Sequence, residues 1–568
     1  MEQGIFQIIV TLLGGLAVFI YGMNLMSDGL QKAAGDKMKR FLSMLTSNPV
    51  FGVISGALVT AVLQSSSATT VMVIGFTSAG LMKLPQAISV ILGANIGTTI
   101  TAQLVAFKIG DYAWIFVFIG FVMYFFITKK EILTDIGQIL FGFGLLFVGI
   151  NIMGDVMKPL AHAKVFIDMI VQVQDIPVLG VVVGIVSTAA IQSSSAVIAV
   201  LQNLASTPAA DGIHPLIDID GALPILFGSN IGTTITAILA SIGASVAAKR
   251  TAIAHIIFNV FGTLIFIWFI PQISYIIGKM SPGDTTVDNI SRQIANAHML
   301  FNVINTLIFL PLIWLLVKAV IKIVPGEEQE RDLSEPVFLD EKVINQPIFG
   351  IYLAIQELNR TGLMAFEMLK KAKQAFLSGD MNIVNEVMDA DEIINELRHK
   401  TIEYLSLLLS TETITEAQRE RVSGLFHVAG DIEHIGDYCK NIVQFAKEKT
   451  KNSYRFSDKA YAEIYECFDL AQIMMTVTMT ALENGDEESA HQVLEKEEEM
   501  NSLEDKLRKR HMMRLNEKTC SPAFTMIYTD TIHNIERIGD SCKNIAQIVL
   551  KASNLKGTAQ KPELQFQS

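Results

Sequence analysis

Cysteine is scarce in this sequence of 568 residues, and its four occurrences all lie in the second half. None belongs to a Cys-x-x-Cys pair, and none has a histidine at the spacing of a zinc site. A disulfide framework is therefore not expected, and we interpret the cysteines as reduced thiols packed in a cytoplasmic helical bundle. The four are Cys439, Cys467, Cys520 and Cys542.

An excess of basic residues is also missing, because 44 lysines and arginines stand against 56 aspartates and glutamates, a formal net charge of -12. With no basic stripe, nucleic-acid binding is not expected. The sequence has no Walker loop, no nucleophile elbow and no histidine–cysteine metal motif. We therefore expect neither an enzyme nor a transporter driven by ATP.

Charged residues are rare up to about residue 324 and abundant afterwards. The mean hydropathy of +0.41 thus averages an apolar region and a polar one. The simplest interpretation is an integral membrane domain followed by a soluble domain. The first apolar run, residues 5–26, follows no basic segment and is long enough to span, so we expect a retained transmembrane helix.

One polar run interrupts the apolar region twice: Gln-Ser-Ser-Ser at residues 64–67 occurs again at residues 192–195, 128 positions later. Four consecutive hydrogen-bonding side chains are costly in hydrocarbon unless they face a cavity or a ligand. Small polar residues also join membrane helices to one another, but that explanation does not account for the duplication of the whole run.

A second motif repeats in the same order. Residues 93–101, Gly-Ala-Asn-Ile-Gly-Thr-Thr-Ile-Thr, match residues 228–236, 135 positions later, which places a seven-residue insertion in the loop 207–220. This pattern indicates a duplicated transporter whose site lies at the repeat interface. The glycines of this motif fit either a second helix break or close helix packing, and the sequence leaves both open.

Two further spans resemble each other around Ala-His-x-x-Phe-Asn. We interpret His255, Asn259, His298 and Asn302 there as interhelical hydrogen-bond formers more readily than as ligands. Residues 271–293 are expected to form the loop between these spans. Basic residues Lys249-Arg250 and Lys322 flank the spans, which predicts an external loop and a cytoplasmic soluble half.

The chemistry of a helix broken within a membrane suits ions of both signs. The new N-terminal end attracts an anion, and the carbonyl end with nearby hydroxyls suits Na⁺. No lysine or arginine lies near either Gln-Ser-Ser-Ser run. An anion held there therefore needs co-bound cations, which makes cation coupling necessary.

These paired runs in a repeat resemble the type II sodium–phosphate cotransporter family over about residues 5–323. The resemblance implies Na⁺-coupled transport of inorganic phosphate across the cytoplasmic membrane, with Na⁺ as coupling ion. The residues assigned to phosphate on this basis are Gln64, Ser65, Ser66, Ser67, Gln192, Ser193, Ser194 and Ser195. The candidates for sodium are Ser65, Ser66, Thr69, Thr70, Asn95, Thr98, Thr99, Ser193, Asn230, Thr233 and Thr234. The second copy has Val197 and Ile198 where the first has Thr69 and Thr70.

The soluble half carries its own repeat, Glu-x-x-x-Asp-x-x-x-Asn, at residues 433–441 and 536–544. Positions i, i+4 and i+8 share one helix face. This half resembles the PhoU family, which implies two three-helix bundles and binding of a divalent metal or iron. The metal candidates are Glu433, Asp437, Asn441, Glu536, Asp540, Asn544, Asp391 and Glu497. A solvated acidic face is the alternative, and carboxylates favour Mg, Mn, Ca or Fe over Zn.

The expected fold is all-α: a polytopic membrane domain of two inverted repeats with broken or re-entrant helices, then a cytoplasmic PhoU-like pair of bundles. The predicted domains are 1–323 (repeats 5–128 and 132–270, final span 295–320), a linker 324–346, the PhoU-like domain 347–553 and a disordered tail 554–568. A membrane-anchored phosphate or metal sensor or scaffold is the alternative function. A homodimer or a signalling partner would contact the PhoU-like domain.

Overall fold

The computed structural model describes residues 2–34, 48–78, 80–107, 110–127, 131–160, 172–173, 175–209, 214–281, 287, 289–326, 333–344, 346–411, 414–522 and 525–558. The chain forms two compact units, Met1–Gln329 and Glu330–Ser568, called here the membrane unit and the C-terminal unit. Within the described residues, regular structure is helical, apart from one isolated bridge between Pro208 and Pro215. The all-α expectation is confirmed.

The membrane unit consists of two successive sets of helices. The first set is α1 Glu2–Ala34, α2 Pro49–Leu63, α3 Ser66–Ser78, α4 Leu84–Gly97, α5 Thr99–Val105 and α6 Ala113–Phe126. The second is α7 Glu131–Leu160, α8 Pro177–Ile191, α9 Ser194–Ala205, α10 Ile219–Gly232, α11 Thr234–Ser241 and α12 Val246–Phe266. The unit ends with α13 Ile270–Met280, α14 Ile290–Phe309 and α15 Ile313–Ile323.

Several of these helices have the length and apolar character of membrane spans. Among the described residues there are five such stretches, or six if the pair α14 and α15, bent by 82° at its break, forms one span. The five are Phe6–Ala33, Leu84–Val105, Ile132–Val156, Ile219–Ser241 and Val246–Met280. The helices α2, α3, α8 and α9 are too short to span singly, as expected of broken segments.

The order of elements repeats as the motifs predict. Helix α2 and its counterpart α8 begin 128 residues apart, as do α3 and α9, whereas α4 and α10 begin 135 residues apart. The seven-residue difference falls in the connection between α9 and α10. Duplication is therefore visible in the fold, while the inversion of one repeat relative to the membrane stays a prediction.

Glycines in the second motif serve close helix packing. A Cβ atom on Gly93 of α4 would lie 2.0 Å from the carbonyl oxygen of Val53 on α2. Gly228 of α10 repeats this relationship, at 2.0 Å from the carbonyl oxygen of Val181 on α8. Thr98, between α4 and α5, keeps helical dihedral angles (φ -63°, ψ -23°), so the chain turns little there. Of the two explanations open for these glycines, close packing holds.

The expectation of a loop over residues 271–293 is wrong for residues 271–280 and 290–293, which are helical. Residues 270–280 form α13, which buries Ile270, Ile273 and Ile277 on one face. This spacing of three and four residues is that of an amphipathic helix, and Pro271 occupies its first turn, where a missing N–H costs nothing. The helices α12–α13 recur as α14–α15, with each helix beginning 43 or 44 residues after its counterpart.

The described residues of the C-terminal unit form six long helices, as predicted. They are α16 Pro347–Ser378, α17 Met381–Leu409, α18 Glu416–Lys451, α19 Asp458–Asn484, α20 Glu487–Asn516 and α21 Thr525–Thr558. The first three and the last three form two bundles, and α18 packs on α21 between them. All four cysteines are free. Burial raises the pKa of Cys467 to about 12, as expected for unreactive thiols.

Two predicted segment boundaries differ from the structure. Residues 333–344 of the predicted linker lie on the first bundle, where the buried carboxylate of Glu357 accepts hydrogen bonds from the N–H groups of Val337 and Phe338 (2.9 and 2.8 Å). Helix α21 continues to Thr558, five residues into the predicted tail, and residues 559–568 lie outside the described part.

Candidate functional site

Both Gln-Ser-Ser-Ser runs break a helix in the same way. Gln64 ends α2 with φ 51° and ψ 22°, and Gln192 ends α8 with φ 58° and ψ 22°. Left-handed backbone is uncommon and strained for a residue other than glycine, and such strain persists where the surroundings impose it, often at functional sites. Its occurrence at two repeat-related glutamines indicates that each break is a built feature.

The serine after each glutamine caps the helix that follows. Ser65 Oγ accepts a hydrogen bond from the N–H of Ala68, and Ser193 Oγ accepts one from the N–H of Ala196, both at 3.2 Å. Helix geometry leaves the N–H groups of the next two serines in each run without an intrahelical acceptor. Each run therefore offers free backbone donors and hydroxyls at a positive helix end, which is the chemistry of an oxyanion site.

In the first repeat, the run is tied to the second motif by two side-chain contacts. Thr101 on α5 donates from its hydroxyl to Gln64 Oε1 at 2.8 Å, and Thr98 donates to Ser66 Oγ at 3.3 Å. Gln64 and Ser66 are each 4% exposed. Four oxygen- or amide-bearing side chains thus meet at one break, and their oxygens suit a hard cation.

The second repeat arranges its hydroxyls differently. Thr60 bonds Thr69 within the first repeat at 2.8 Å, whereas its counterpart Thr188 bonds Ser229 on α10 at 2.8 Å. Gln192 is exposed, unlike the buried Gln64. The two breaks therefore share a backbone conformation but differ in the hydrogen bonds and exposure of the side chains around them.

The asparagines of the second motif contact histidines of the closing helices. Asn95 Nδ2 lies 3.5 Å from His255 Nε2, and Asn230 Oδ1 lies 3.4 Å from His298 Nε2. These pairs agree with the interpretation of the histidines as interhelical hydrogen-bond formers. Thr99 and Thr234 instead donate to carbonyl oxygens of the preceding helices α4 and α10, Ile96 O and Ile231 O, at 2.7 Å each. Their hydroxyl oxygens keep a lone pair available.

Several fully buried polar atoms in this region have no hydrogen-bond partner among the described residues. They are Thr70 Oγ1, Asn230 Nδ2, His255 Nδ1, Asn259 Oδ1, His298 Nδ1 and Asn302 Oδ1. Native proteins rarely leave buried polar atoms unpaired, and an ion or water commonly completes such a group. Most of these atoms come from residues that the sequence singled out.

The predicted site residues of the run and the second motif are therefore joined by side-chain hydrogen bonds in the first repeat, whereas in the second repeat no described hydrogen bond joins them, and none links the two runs directly. Helix α5 contacts α9 of the second repeat, and Ala102 of α5 and Ile198 of α9 belong to one buried apolar cluster. Sequence reasoning missed Thr60, Thr101 and Ser229, which bond to site residues. The signal that would have found Thr101 was its place at the end of the repeated motif.

In the C-terminal unit, the two acidic stripes lie where α18 and α21 meet. Asn441 Nδ2 donates to Asn534 Oδ1, and Asn544 Nδ2 donates to Asp431 Oδ1, both at 3.0 Å. Within the described residues, no group of three or more histidine, cysteine or acidic side chains is arranged to hold a metal ion. Metal binding by Glu433, Asp437, Glu536 and Asp540 stays a prediction.

Two of the metal candidates are already engaged with lysines. Asp391 on α17 pairs with Lys440 at 2.6 Å, and Glu497 on α20 pairs with Lys543 at 2.8 Å. The lysines reach across from α18 and α21, so a search along one helix does not find them. A metal ion bound by these two acids would therefore have to compete with the lysines that already pair with them.

Comparison with known proteins follows the same division of the chain. The family described as Na+/Pi-cotransporter matches residues 18–155 and 153–280, and the PhoU domain matches residues 358–446 and 464–549. "Uncharacterized protein YqeW" of Bacillus subtilis is 34% identical over 275 residues, which cover 48% of this chain and 87% of that protein.

Two further relatives carry functional names. "Putative inorganic phosphate export protein YjbB" of Escherichia coli O157:H7 is 23% identical over 96% of this chain and 97% of its own. Human "Sodium-dependent phosphate transport protein 2B" is 40% identical over 112 residues, 19% of this chain and 16% of that protein. Each repeat has one helix break of the same kind, and the family matches cover the same region. The chain belongs to the Na+/Pi-cotransporter family, a family of membrane transporters, and carries a C-terminal PhoU domain.

Proposed function

We propose that the membrane unit moves inorganic phosphate across the cytoplasmic membrane together with Na⁺. The observation that carries this proposal is the pair of left-handed glutamines, Gln64 and Gln192, each followed by a serine-capped helix N-terminus. Donors at these ends fit the oxygens of phosphate. Hydroxyl and amide oxygens beside them fit Na⁺.

Electrostatics supports the coupling. Neither run contains a basic residue, so a dianion placed between them would be uncompensated in a medium of low dielectric. Bound Na⁺ ions supply the missing charge. Each net positive charge that moves inward with the phosphate gains about 2.3 kcal/mol per 100 mV of membrane potential.

Phosphate flux into proteoliposomes with Na⁺, Li⁺ or K⁺ as the driving cation tests the proposal. We expect flux with a Na⁺ gradient and little with K⁺. Flux that ignores the cation would refute the coupling. The names of the relatives mention both export and sodium-dependent transport, so the net direction should be measured from both sides.

Two serine variants locate the site. Ser66→Ala and Ser194→Ala each remove one hydroxyl from a helix N-terminus, and we expect each to lower the phosphate flux at least tenfold. Ser55→Ala is the matched control, because Ser55 is also buried in the membrane unit but donates only to carbonyl oxygens of its own helix, Phe51 O at 2.6 Å and Gly52 O at 3.3 Å. Equal losses in all three variants would indicate general damage.

For the C-terminal unit we propose a cytoplasmic regulator that acts through the segment 333–344. Glu357 pairs with Arg360 and also holds this segment, whereas its counterpart in the second bundle, Glu463, binds Arg514 and Tyr528 and has no described bond to the segment. Glu357→Gln should alter how internal phosphate affects the flux, and Glu463→Gln should not. Unchanged regulation in Glu357→Gln would exclude this route.

The alternative function is a membrane-anchored sensor of phosphate or metal. The large helical C-terminal unit, with its acidic stripes on α18 and α21, favours it. Phosphate binding to the purified protein without measurable flux would support the sensor. Flux under a Na⁺ gradient would support the transporter.

A further inference from the structure

The C-terminal part of α9 has polar contacts, whereas the equivalent part of its counterpart α3 in the first repeat has apolar ones. Gln202 Nε2 of α9 donates to Ala102 O of α5 at 3.0 Å and to Ser291 O of α14 at 2.9 Å. The residue 128 positions earlier is Ile74, which lies in an apolar cluster with Ala237 and Ala248. Since α3 and α9 occupy equivalent positions in the two repeats, the difference in their side chains needs a separate explanation.

Arg292 extends these polar contacts. Its Nη1 donates to Gln103 Oε1 at 2.9 Å, and its guanidinium lies 4.6 Å from the ring centre of Phe107. Gln103 Nε2 in turn donates to Asn296 Oδ1 at 3.1 Å. Arg292 Nη2 donates to Ala106 O at 3.4 Å, so both described acceptors are neutral, and three of the five N–H groups of the guanidinium have no described partner.

Unused hydrogen-bonding capacity accompanies this charge. Gln202 Oε1 and both polar atoms of Gln293 are buried and have no partner among the described residues. Gln202 and Gln293 are each only 1% exposed. A buried amide without a partner is costly unless water or a ligand completes it. Arg292 is half-buried, so its guanidinium remains within reach of solvent.

The helix ends define where this cluster lies. Arg292 is in the first turn of α14, Gln103 and Ala106 close α5, and Gln202 is in the last turn of α9. Helix α9 follows the break at Gln192, and α5 contacts the break at Gln64 through the hydrogen bond of Thr101. The cluster thus lies beside the C-terminal ends of two helices that each contact a break.

We propose that Arg292, with Gln103 and Asn296, forms a second oxyanion site, which phosphate occupies on its way to or from the helix breaks. The identity of the ligand as phosphate rests on the proposed function, whereas the binding of an oxyanion does not. The charge comes from the guanidinium, so this site needs no Na⁺. That independence distinguishes it from a site at the breaks, which carries no basic residue.

Chemical protection tests the site on the full-length protein in detergent. Phenylglyoxal modifies accessible arginines, and mass spectrometry reports the rate at each one. Saturating inorganic phosphate should slow the modification of Arg292 about threefold or more, because the bound oxyanion covers the guanidinium. The protection should be equal in Na⁺ and K⁺ media.

The matched control is Arg250 on α12, which corresponds to Gln293 in the repeat of α12–α13 as α14–α15. Arg250 donates to Val324 O and Gly326 O at 3.0 and 2.8 Å. Its rate should not respond to phosphate. Absence of protection at Arg292, equal protection at Arg250, or protection that requires Na⁺ would each overturn the proposal.

Transport kinetics provide a second measurement. Arg292→Gln should lower Vmax/KM for phosphate about fivefold in both directions, since a step that speeds entry also speeds exit, and the loss should shrink at high ionic strength. Lys249→Gln, the repeat-related change, should have no such effect, and Arg292→Lys should keep most of the rate. An unchanged Vmax/KM in Arg292→Gln would overturn the proposal. Protection of Arg292 in a protein that moves no phosphate would refute the proposed function and leave this site standing.

Discussion

Thr101 donates a hydrogen bond of 2.8 Å from its hydroxyl to Oε1 of Gln64, across 37 residues of sequence. Thr101 is 1% exposed and Gln64 is 4% exposed, so neither group has water as a substitute partner. The bond joins the first helix break to α5. It fixes the amide of a glutamine whose backbone is already in the left-handed region.

Replacing Thr101 by valine keeps the shape and removes the donor. The amide oxygen of Gln64 then stays buried and unpaired, which costs about 1–3 kcal/mol. We expect a lower unfolding temperature and a weaker dependence of phosphate flux on Na⁺. Thr236→Val is the control, because Thr236, 135 positions later, donates to Thr233 O of the same turn and not to a glutamine. Equal effects of both variants would contradict a special role for Thr101.

Two substitutions of Gln64 distinguish the effect of backbone strain from the role of the side-chain amide. Glycine adopts a φ of 51° without strain, whereas alanine pays about 1 kcal/mol there. We therefore expect Gln64→Gly to be more stable than Gln64→Ala in thermal unfolding. Both variants should lose most phosphate flux, because both lack the amide. Normal flux in Gln64→Gly would mean that the bend alone is sufficient and that the amide plays no part in binding.

The duplicated pattern explains why much of this fold is predictable from sequence. Repeated motifs fix the offsets of 128 and 135 residues, and the helices follow them, because the same residues meet the same neighbours in each half. The glycines were ambiguous for a physical reason. Gly93 avoids a clash with the carbonyl oxygen of Val53, and a sequence does not say which backbone lies opposite a glycine.

The site was less predictable than the fold. Single hydroxyls on apolar helices, such as Thr60 and Ser229, have no periodic signal, and only the packing shows that Thr60 meets Thr69 and that Thr188 meets Ser229. The lysine partner of Asp391 was missed because Lys440 lies on a neighbouring helix. Contacts between helices far apart in sequence are what a pattern along one helix leaves out.

Lys440 offers a test of that buried pair. The side chain of Asp391 is 2% exposed, so removing Lys440 leaves a carboxylate buried without its counter-charge. We expect Lys440→Met to destabilise the C-terminal unit by about 3 kcal/mol, measured by hydrogen exchange on α17 and α18 of the full chain. The double variant Lys440→Met/Asp391→Leu should recover much of the loss, because it removes the uncompensated charge. No recovery would show that the lysine acts through packing.

Glu536 gives the C-terminal unit a pH dependence. Burial, with the neighbouring carboxylate of Asp540 as a second cause, raises the pKa of Glu536 from 4.5 to about 7. The folded state therefore binds this proton more tightly than the unfolded chain does. The resulting stability is fully present below pH 4.5 and is lost as the pH rises to about 7.

Glu536→Gln should remove that dependence. We expect the variant and the wild type to be similar in stability at pH 4 and the variant to be more stable at pH 8, by about 1 kcal/mol once solvent screening of this half-buried group is included. Urea unfolding of the full chain, monitored by hydrogen exchange on α21, measures the difference in stability between the variant and the wild type. A constant difference from pH 4 to pH 8 would contradict the assignment.

The same carboxylates test the metal hypothesis. A divalent cation between Glu536 and Asp540 would replace the proton and cancel the repulsion that raises the pKa of Glu536. Adding Mn²⁺ at pH 8 should then stabilise the wild type and leave Glu536→Gln nearly unchanged. Glu497→Gln is an informative comparison, because Glu497 already pairs with Lys543 at 2.8 Å. If Mn²⁺ stabilises wild type and Glu536→Gln equally, the acidic stripe of α21 is not where the ion binds.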